Sequence, residues 1–247
     1  MTKKYSIIIP AYNEEKNLRI LLKSLKEEIS KVLLKDEFEI IVIDDGSRDE
    51  TSSIARSMNI SKIVKNHRNL GKGYCMRLAS KLAIGEILCF IDADNSHKPE
   101  DLRKIIFKIE KRQNFFKNKN YLITAVRFKS NKHGTSTINA IGNKLYSFIC
   151  KLMWGVIIND LTCGLRVIPK NSFENLKVTS SRYTIEVEMI AKALRNRMNI
   201  FEIPIDANYR IFGKSGVHFL REGIIIPLSF ILTSLDVYKT ITNKISI

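Results

Sequence analysis

Residues 87–94 read ILCFIDAD, an apolar run that ends in two aspartates separated by a single residue. The five consecutive apolar residues at 87–91 predict a strand that is buried on both faces, as in a parallel sheet. In an open α/β sheet, ligands bind in the crevice beyond the strand ends, so Asp92 and Asp94 are expected there. Two carboxylates at this spacing suit a hard divalent cation whose shell is completed by phosphate oxygens. A pair of loop or helix-capping aspartates is the alternative at this point.

The sequence around this run alternates predicted strands with predicted helices. Apolar runs predict further strands at residues 5–9, 38–43, 60–64 and 200–205. A helix after the first of them is predicted by apolar residues at helical spacing, with Asn13 as its N-cap: Leu18, Leu21, Leu22, Leu25 and Ile29. Strands that alternate with helices of this length predict βαβ units and a mostly parallel sheet. The N-terminal MTKKYSIIIPAYNEE is therefore interpreted as a first strand and not as a signal peptide.

The charge of the chain is strongly positive and unevenly distributed. Its 247 residues include 41 Lys and Arg against 25 Asp and Glu, a formal net charge of +16, which implies an anionic partner. Between Glu110 and Asp160 there is no acid, while the basic residues there are Lys111, Arg112, Lys117, Lys119, Arg127, Lys129, Lys132, Lys144 and Lys151. Apolar residues at helical spacing around Phe148 make this segment resemble a helix on an anionic membrane surface. A core helix beside a solvated basic loop is the alternative.

The cysteines and the apolar stretches limit the class of protein further. The four cysteines form no CxxC pair, so neither a zinc site nor a disulfide framework is predicted: Cys75, Cys89, Cys150 and Cys163. A reducing, cytosolic compartment fits them best. No stretch offers the roughly 18 uncharged apolar residues that are expected of a membrane-spanning helix.

A second acidic pair, Asp44-Asp45, follows the strand predicted at 38–43, and the turn NLGKG at residues 69–73 follows the next strand. Because the carboxyl ends of parallel strands meet at one edge, we expect these groups and Lys72 to lie near Asp92 and Asp94. The combination suggests a nucleotide-diphosphate site, with one acidic pair for base or ribose hydroxyls and the other for a metal. The GxGxxG and GxxxxGK[ST] signatures of other nucleotide sites are not present.

Several motifs, taken together in order and spacing, resemble a known family. IIIPAYNEE (7–15), IVIDDGSRDET (41–51), NLGKGYCMRLA (69–79) and FIDADNSHKPEDL (90–102) resemble family 2 inverting glycosyltransferases of the GT-A fold. DLTCGLRV (160–167), IEVEM (185–189) and YRIFGKSG (209–216) are similar to the branch that makes dolichyl- or polyprenyl-phosphate sugars. The resemblance implies a single Rossmann-like, mostly parallel sheet flanked by helices. It also implies a catalytic domain at 1–216, with a nucleotide-binding half at 1–110 and an acceptor-binding half at 111–216, followed by an amphipathic helical tail at 217–247.

The resemblance also implies roles for individual residues. Asp92 and Asp94 would hold Mg²⁺ or Mn²⁺ against the donor diphosphate, with Ser96 as a further metal ligand and Asp94 also catalytic. Arg127 and Arg210 match arginines that would bind acceptor or donor phosphates and are counted as catalytic. The residues expected to bind substrate are Pro10, Ala11, Tyr12, Glu14, Asp44, Asp45, Lys72, Lys132 and Ser215.

The reaction expected from the resemblance is transfer of mannose or glucose from GDP-mannose or UDP-glucose to dolichyl or polyprenyl phosphate. A lipid monophosphate has its second pKa near 6 and is largely anionic near neutral pH, so it needs no general base. A glycan or soluble hydroxyl acceptor would need one, and Asp160 is the candidate, also counted as catalytic. A basic nucleic-acid-binding protein is the remote alternative, although nucleic acid is not the expected partner. We expect the chain to be peripheral on the cytoplasmic face of a membrane, its tail contacting either the anionic surface or a separate anchoring subunit.

Three other acidic or titratable residues have two possible interpretations. A helix is predicted at 181–197, and Glu186 and Glu188 fall outside its apolar stripe, which is typical of a solvated face. Their position relative to the family motifs points instead to a role in the site. None of the four histidines has metal-ligand spacing, and only His97, beside the acidic loop, is a candidate for a site role.

Overall fold

The computed structural model describes residues 4–128, 147–152, 154–206 and 212. These residues form one mixed, mostly parallel sheet of seven strands in the order β3-β2-β1-β4-β6-β5-β7. The strands are β1 (Tyr5–Ala11), β2 (Phe38–Asp44), β3 (Lys62–Lys65), β4 (Ile87–Phe90), β5 (Tyr121–Phe128), β6 (Arg166–Pro169) and β7 (Asn199–Asp206). The sheet flanked by helices that the sequence predicts is therefore confirmed for this part of the chain.

All strands but one run in the same direction. β1 pairs in parallel with β2 and β4, β2 with β3, and β5 with β7. β6 is antiparallel to both of its neighbours, with Phe90 opposite Arg166 and Thr124 opposite the same arginine. One edge of the sheet, the carboxyl edge, thus gathers the C-terminal ends of β1, β2, β4 and β5 and the N-terminal end of β6.

Helices cover both faces of the sheet. They are α1 (Glu15–Ile29), α2 (Thr51–Ser57), α3 (Lys72–Leu82), α4 (Pro99–Lys111), α5 (Lys170–Leu176) and α6 (Thr184–Arg195), and residues 147–152 are also helical. Ile7 and Ile9 of β1 face the core that contains the apolar stripes of α1 and α4, whereas Ile8 faces the core beneath α3, α5 and α6. This alternation, typical of a strand with both faces covered, accounts for the continuous apolar runs in the sequence.

Element boundaries differ from the sequence predictions in physically informative ways. β4 ends at Phe90, although the Ile91 N–H still donates to the Ile8 carbonyl at 3.1 Å. Asn13 does not cap α1: it has a positive φ of 54°, and the residue that precedes the helix is Glu14. The Asn13 side chain accepts the Arg48 N–H at 2.9 Å instead, which ties the β1–α1 loop to the β2–α2 loop.

Part of the prediction falls outside the described residues. This holds for the tail at 217–247 and for Lys132, Arg210 and Ser215. Within the described ranges, the helices are all too short or too polar to cross a bilayer. The four cysteines are buried free thiols.

Candidate active site

The acidic loop that follows β4 lies at the carboxyl edge, where the sequence predicted it. Asp92 and Asp94 are both partly exposed, while Asn95 between them and α4 is buried. Asn95 has a φ of 61°, and its amide donates to the Asn17 carbonyl of α1 at 2.9 Å. The Ser96 N–H donates to Asp94 Oδ1 at 3.0 Å, so Ser96 braces the second carboxylate through its backbone.

Asp92 is held by cationic and titratable side chains from distant parts of the chain. Lys72 Nζ contacts Asp92 Oδ1 and also Glu186 Oε1, so one ammonium bridges two carboxylates. On the other side, His97 Nε2 lies 3.7 Å from Asp92 Oδ2. Burial, the largest single effect, would raise the pKa of Asp92, but the charge and hydrogen bond of Lys72 together with the charges of His97 and Arg127 outweigh it, and the pKa is lowered.

Lys72 and Glu186 respond to burial in different ways. Burial by itself would lower the pKa of Lys72, yet the two carboxylates around the ammonium raise it above its ordinary value. Burial raises the pKa of Glu186, and the Lys72 charge opposes that rise. The structure therefore places Lys72 in an ionic network with Asp92 and Glu186, and its predicted role in substrate binding stays a prediction.

His97 is almost completely buried behind Asp92. Its Nε2 lies 3.8 Å from the Cys163 Sγ, while its Nδ1 has no hydrogen-bond partner among the described residues. Burial lowers the pKa of His97, and the neighbouring Asp92 carboxylate opposes that effect. The sequence singled out this histidine only because it is next to the acidic loop, and the structure brings it into contact with that loop.

The other acidic pair, Asp44-Asp45, is buried at the same edge and bonded by its own neighbourhood. Asp45 accepts the N–H groups of Leu70 and Gly71 at 2.9 and 2.7 Å and the Asn66 amide at 2.8 Å. Asp45 thus fixes the turn from which Lys72 emerges.

Asp44 is likewise bonded by the loop and helix that follow it. It accepts the Ser47 N–H at 2.8 Å and the Ser52 hydroxyl. The Asp44-x-x-Ser47 spacing is a turn signal that could have revealed this local role from sequence.

Four of the residues predicted to bind substrate lie at the end of β1 and in the loop that follows. Ala11 and Glu14 are buried, Pro10 is half-buried, and Tyr12 is exposed. The Glu14 N–H donates to Thr51 Oγ1 at 2.8 Å, and Glu14 Oε2 accepts the Asn17 amide at 2.7 Å. Tyr12 is the member of this set whose side chain is offered to solvent beside the acidic edge.

Asn17 connects the β1–α1 loop to other segments. Its side chain donates to the Phe212 carbonyl at 3.0 Å and accepts the Phe212 N–H at 3.2 Å. Together with its bonds to Glu14 and Asn95, these contacts make Asn17 a junction of three loops. The sequence analysis did not single out this asparagine, and no periodicity or motif spacing marks it.

Arg127 and Asp160 form a two-pronged ion pair at the same edge. Arg127 Nε and Nη2 donate to the two Asp160 carboxylate oxygens at 2.6 and 2.9 Å, and Nη2 also reaches Thr162 Oγ1 at 2.9 Å. Burial would raise the pKa of Asp160, but the Arg127 guanidinium dominates and the pKa is lowered. Burial would likewise lower the pKa of Arg127, and the paired carboxylate raises it instead.

α6 contributes two carboxylates that helix periodicity alone left unassigned. Glu186 is 5% and Glu188 2% exposed, so neither lies on a solvated face. Glu188 accepts the Thr179 and Ser180 N–H groups at 2.9 and 2.8 Å and the Lys192 ammonium at 2.6 Å. A buried charge without partners is costly, and each glutamate is accordingly paired.

The donor set at the acidic loop is compatible with a divalent cation of the Mg²⁺ or Mn²⁺ type. Asp92 and Asp94 supply hard carboxylate oxygens, and Asp94 is partly exposed at the edge. Across the described residues no three His, Cys, Asp or Glu side chains cluster into a cage for a metal. Such a two-carboxylate set suits Mg²⁺, which keeps part of its shell for water and substrate phosphates.

Comparison with known proteins places this edge in context. Residues 6–177 match the family described as Glycosyl transferase family 2. An uncharacterised protein of Methanocaldococcus jannaschii is 30% identical over 216 residues, which cover 85% of this chain and 83% of that protein. The UDP-N-acetylglucosamine–dolichyl-phosphate N-acetylglucosaminyltransferase of Methanococcus voltae is 28% identical, with coverages of 82% and 85%. A dolichyl-phosphate beta-glucosyltransferase of Trichomonas vaginalis is 29% identical, with coverages of 82% and 65%.

Solved structures agree on the fold. Glucosyl-3-phosphoglycerate synthase from Mycobacterium tuberculosis, in complex with Mn²⁺ and UDP-glucose, superimposes with a TM-score of 0.68 at 18% identity. The superposition covers 94% of this chain and 79% of that one. The sheet order and these neighbours give the chain the GT-A fold that the motifs implied. With the family match spanning most of its length, the chain belongs to glycosyl transferase family 2 and is a glycosyltransferase related to the dolichyl-phosphate sugar transferases.

Proposed function

We propose that this protein transfers a hexose from a nucleoside-diphosphate sugar to dolichyl or another polyprenyl phosphate at a membrane surface. The two named relatives act on dolichyl phosphate, one with UDP-N-acetylglucosamine, and this supports a lipid monophosphate as acceptor. The net charge of +16 supports it as well, because donor, acceptor and membrane surface are all anionic. GDP-mannose, UDP-glucose and UDP-N-acetylglucosamine are the donors to compare.

The observation that carries this proposal is the pairing of Asp160 with Arg127. A hydroxyl acceptor needs a general base, and the sequence offers Asp160 for that role. Both oxygens of this carboxylate accept hydrogen bonds from Arg127, and its lowered pKa makes it a weak base. A lipid phosphate, already ionised, is the acceptor that does not require such a base.

The reaction then needs little proton chemistry. An oxygen of the acceptor phosphate forms the new bond to the anomeric carbon from the face opposite the donor diphosphate. The bond from that carbon to the diphosphate oxygen breaks, and its electron pair leaves with the nucleoside diphosphate, so the configuration inverts. The protein aligns the two anions and excludes water, and both effects lower the activation free energy substantially.

Individual residues have distinct parts in this proposal. Asp92 and Asp94 would hold Mg²⁺ or Mn²⁺, which when bound neutralises charge on the diphosphate. Arg127, at the end of β5, would orient the acceptor phosphate while Asp160 and Thr162 fix its guanidinium. The donor would lie against the β1–α1 loop, with the exposed Tyr12 ring beside it. Arg210 keeps its proposed role in phosphate binding, and Lys132 and Ser215 keep theirs in substrate binding.

The surface around residues 147–157 supports the membrane part of the proposal. Phe148, Leu152 and Ile157 are 64, 76 and 58% exposed, and Lys151 between them is exposed too. Cys150 on the opposite side of this helical stretch is buried in the core. Exposed apolar side chains beside a lysine suit contact with an anionic membrane surface. We place the protein on the cytoplasmic face, with residues 217–247 as a further contact to lipid or to an anchoring subunit.

The test is a transfer assay with purified protein, Mg²⁺ or Mn²⁺, polyprenyl phosphate and each labelled nucleotide sugar in turn. We expect one donor to give a lipid-linked sugar that is labile to mild acid. Asp160→Asn should lower the rate by about tenfold, because Arg127 loses a charged partner, whereas loss of a general base costs up to about 10⁴-fold. No lipid product with any donor, or an Asp160→Asn loss beyond a thousandfold, would overturn the proposal.

A further inference from the structure

Three charged side chains from distant positions meet at the acidic loop: Asp92, Lys72 and Glu186, called here the Lys72 network. Lys72 Nζ contacts a carboxylate oxygen of each partner. The side chains of Lys72 and Glu186 are 11 and 7% exposed, against 25% for Asp92. Asp92 is thus the member that faces outward, and Glu186 the member that anchors the lysine from the inside.

The backbone around Glu186 is fixed independently of its side chain. Arg166, fully buried, donates to the Glu186 carbonyl at 2.5 Å and to the Leu161 and Cys163 carbonyls at 2.5 and 3.0 Å. The first turn of α6 is therefore tied to the loop that precedes β6. That same loop contains Gly164, where an added Cβ would lie 2.0 Å from Asp92 Oδ2 and 2.8 Å from Lys72 Nζ.

The lysine is fixed in a similar way from the α3 side. The Tyr74 N–H donates to the Ser181 carbonyl at 3.0 Å, and a Cβ at Gly73 would lie 2.2 Å from the Ser180 carbonyl oxygen. The start of α3 thus packs directly on the segment before α6. The backbone that carries Lys72 is thus held against the backbone that precedes Glu186.

The network contains two carboxylates and one ammonium, so its formal charge is −1. If Glu186 were neutral, the charge of Lys72 would cancel the charge of Asp92. A cation at Asp92 would then meet a network with no net charge. Opposite charges a few ångströms apart in a partly buried site interact strongly enough to alter cation affinity by an order of magnitude. Glu186 is therefore placed to act on a cation that it does not touch.

We infer that Glu186 is a positioning residue that, through Lys72, holds the Asp92 carboxylate in place and preserves its negative charge for a divalent cation. This inference rests on the proposed function, because it takes Asp92 and Asp94 as the residues that hold the cation. In this scheme Lys72 is a counter-ion that bridges the two carboxylates. Other cationic groups of the site bind the donor phosphates.

The experiment measures Mn²⁺ binding to the full chain without substrates, from the loss of the free-ion electron paramagnetic resonance signal. Glu186→Gln keeps the shape and removes one charge, and we expect a Mn²⁺ dissociation constant about tenfold above that of the natural protein. The matched control is Glu188→Gln on the same helix, equally buried but bonded to residues 179, 180 and 192, which should stay within about twofold. The double variant Lys72→Met with Glu186→Gln restores the charge of −1 and should bind Mn²⁺ within about threefold of the natural protein.

Each outcome has one meaning. Natural protein that binds no Mn²⁺, even with the nucleoside diphosphate added, contradicts the cation site of the proposed function. Natural protein that binds while both glutamine variants match it refutes the inference alone. Equally weakened Mn²⁺ binding in Glu186→Gln and Glu188→Gln also refutes the inference, as does a double variant whose binding does not recover. In either case the affinity would follow damage to the structure and not the net charge of the Lys72 network. Melting temperatures of all variants separate unfolding from weakened binding.

Discussion

Two acidic pairs lie at the same edge of the sheet, yet the protein uses them differently. Asp44 and Asp45 accept N–H groups from nearby loops and are almost fully buried. Asp92 and Asp94 are partly exposed, and Asp92 is held by Lys72 from a distant helix. The carboxylates of the first pair accept hydrogen bonds that hold the surrounding loops, whereas those of the second pair keep oxygens at the surface. The pattern of two nearby acids after a strand is the same for both pairs. The hydrogen-bond and ion-pair partners of the carboxylates distinguish them.

The largest effect is expected at the second pair. Asp94→Asn should lower kcat/KM for sugar transfer by about a thousandfold, about 4 kcal/mol of transition-state free energy. Asparagine still accepts the Ser96 N–H, so the melting temperature should change by no more than about 2 °C. Steady-state assays and thermal unfolding measure both quantities. An Asp94→Asn enzyme with more than a tenth of the activity would remove Asp94 from the proposed cation site.

The first pair should show the opposite profile. Asp45→Ala leaves the Leu70 and Gly71 N–H groups and the Asn66 amide without their acceptor, and we expect unfolding free energy to fall by about 3 kcal/mol. Denaturant unfolding measures it, with the exposed Asp36→Ala as control, which should lie within about 0.5 kcal/mol of the natural protein. If Asp45→Ala were as stable as the control, the scaffold role of this pair would be wrong.

Asn17 ties the β1–α1 loop to the acidic loop after β4 and should give an intermediate effect. Asn17→Ala removes the amide that serves Glu14 and Phe212, and we expect a loss of about 2 kcal/mol in unfolding free energy. Asn17→Asp keeps the shape but places an acceptor against the Glu14 carboxylate. It should therefore be at least as unstable as the alanine variant near neutral pH. An Asn17→Asp protein as stable as the natural one would show that the amide donor is not needed.

The smallest effect concerns the acid range. Arg127 lowers the pKa of Asp160 below its ordinary value of 3.8, despite the opposing effect of burial. The stabilisation from this pair is present above that value and is lost as pH falls through the lowered pKa. Between pH 5 and 2, the unfolding free energy of Asp160→Asn should therefore fall less steeply than that of the natural protein. Parallel curves for the two proteins would mean that the ion pair contributes nothing to acid stability.

The sequence was sufficient for the fold class and for the position of the edge. Apolar runs predicted β1, β2, β3, β4 and β7, and the acid pairs after two of them predicted where the site would lie. The short strand β6 and its antiparallel direction were not predicted, because its four residues lie within a motif that shows no apolar run of strand length. Glu186 was beyond such reasoning, because its partner Lys72 is 114 positions away and no local pattern distinguishes a buried glutamate from a solvated one. Arg166 was hidden for a related reason: its partners are backbone carbonyls, which every residue carries.

The direction of β6 has a consequence for how such proteins diversify. Because β6 is antiparallel to β5, the connection from residue 128 to residue 166 begins and ends at the carboxyl edge. The Arg127–Asp160 ion pair joins two positions near the ends of that connection. Lengthening a loop whose ends are already held together adds little entropic cost. The ion pair holds the ends of this connection together, so changes between them have little effect on the sheet. We therefore expect the connection between these two anchors to tolerate changes of length and sequence that the seven-stranded sheet itself would not.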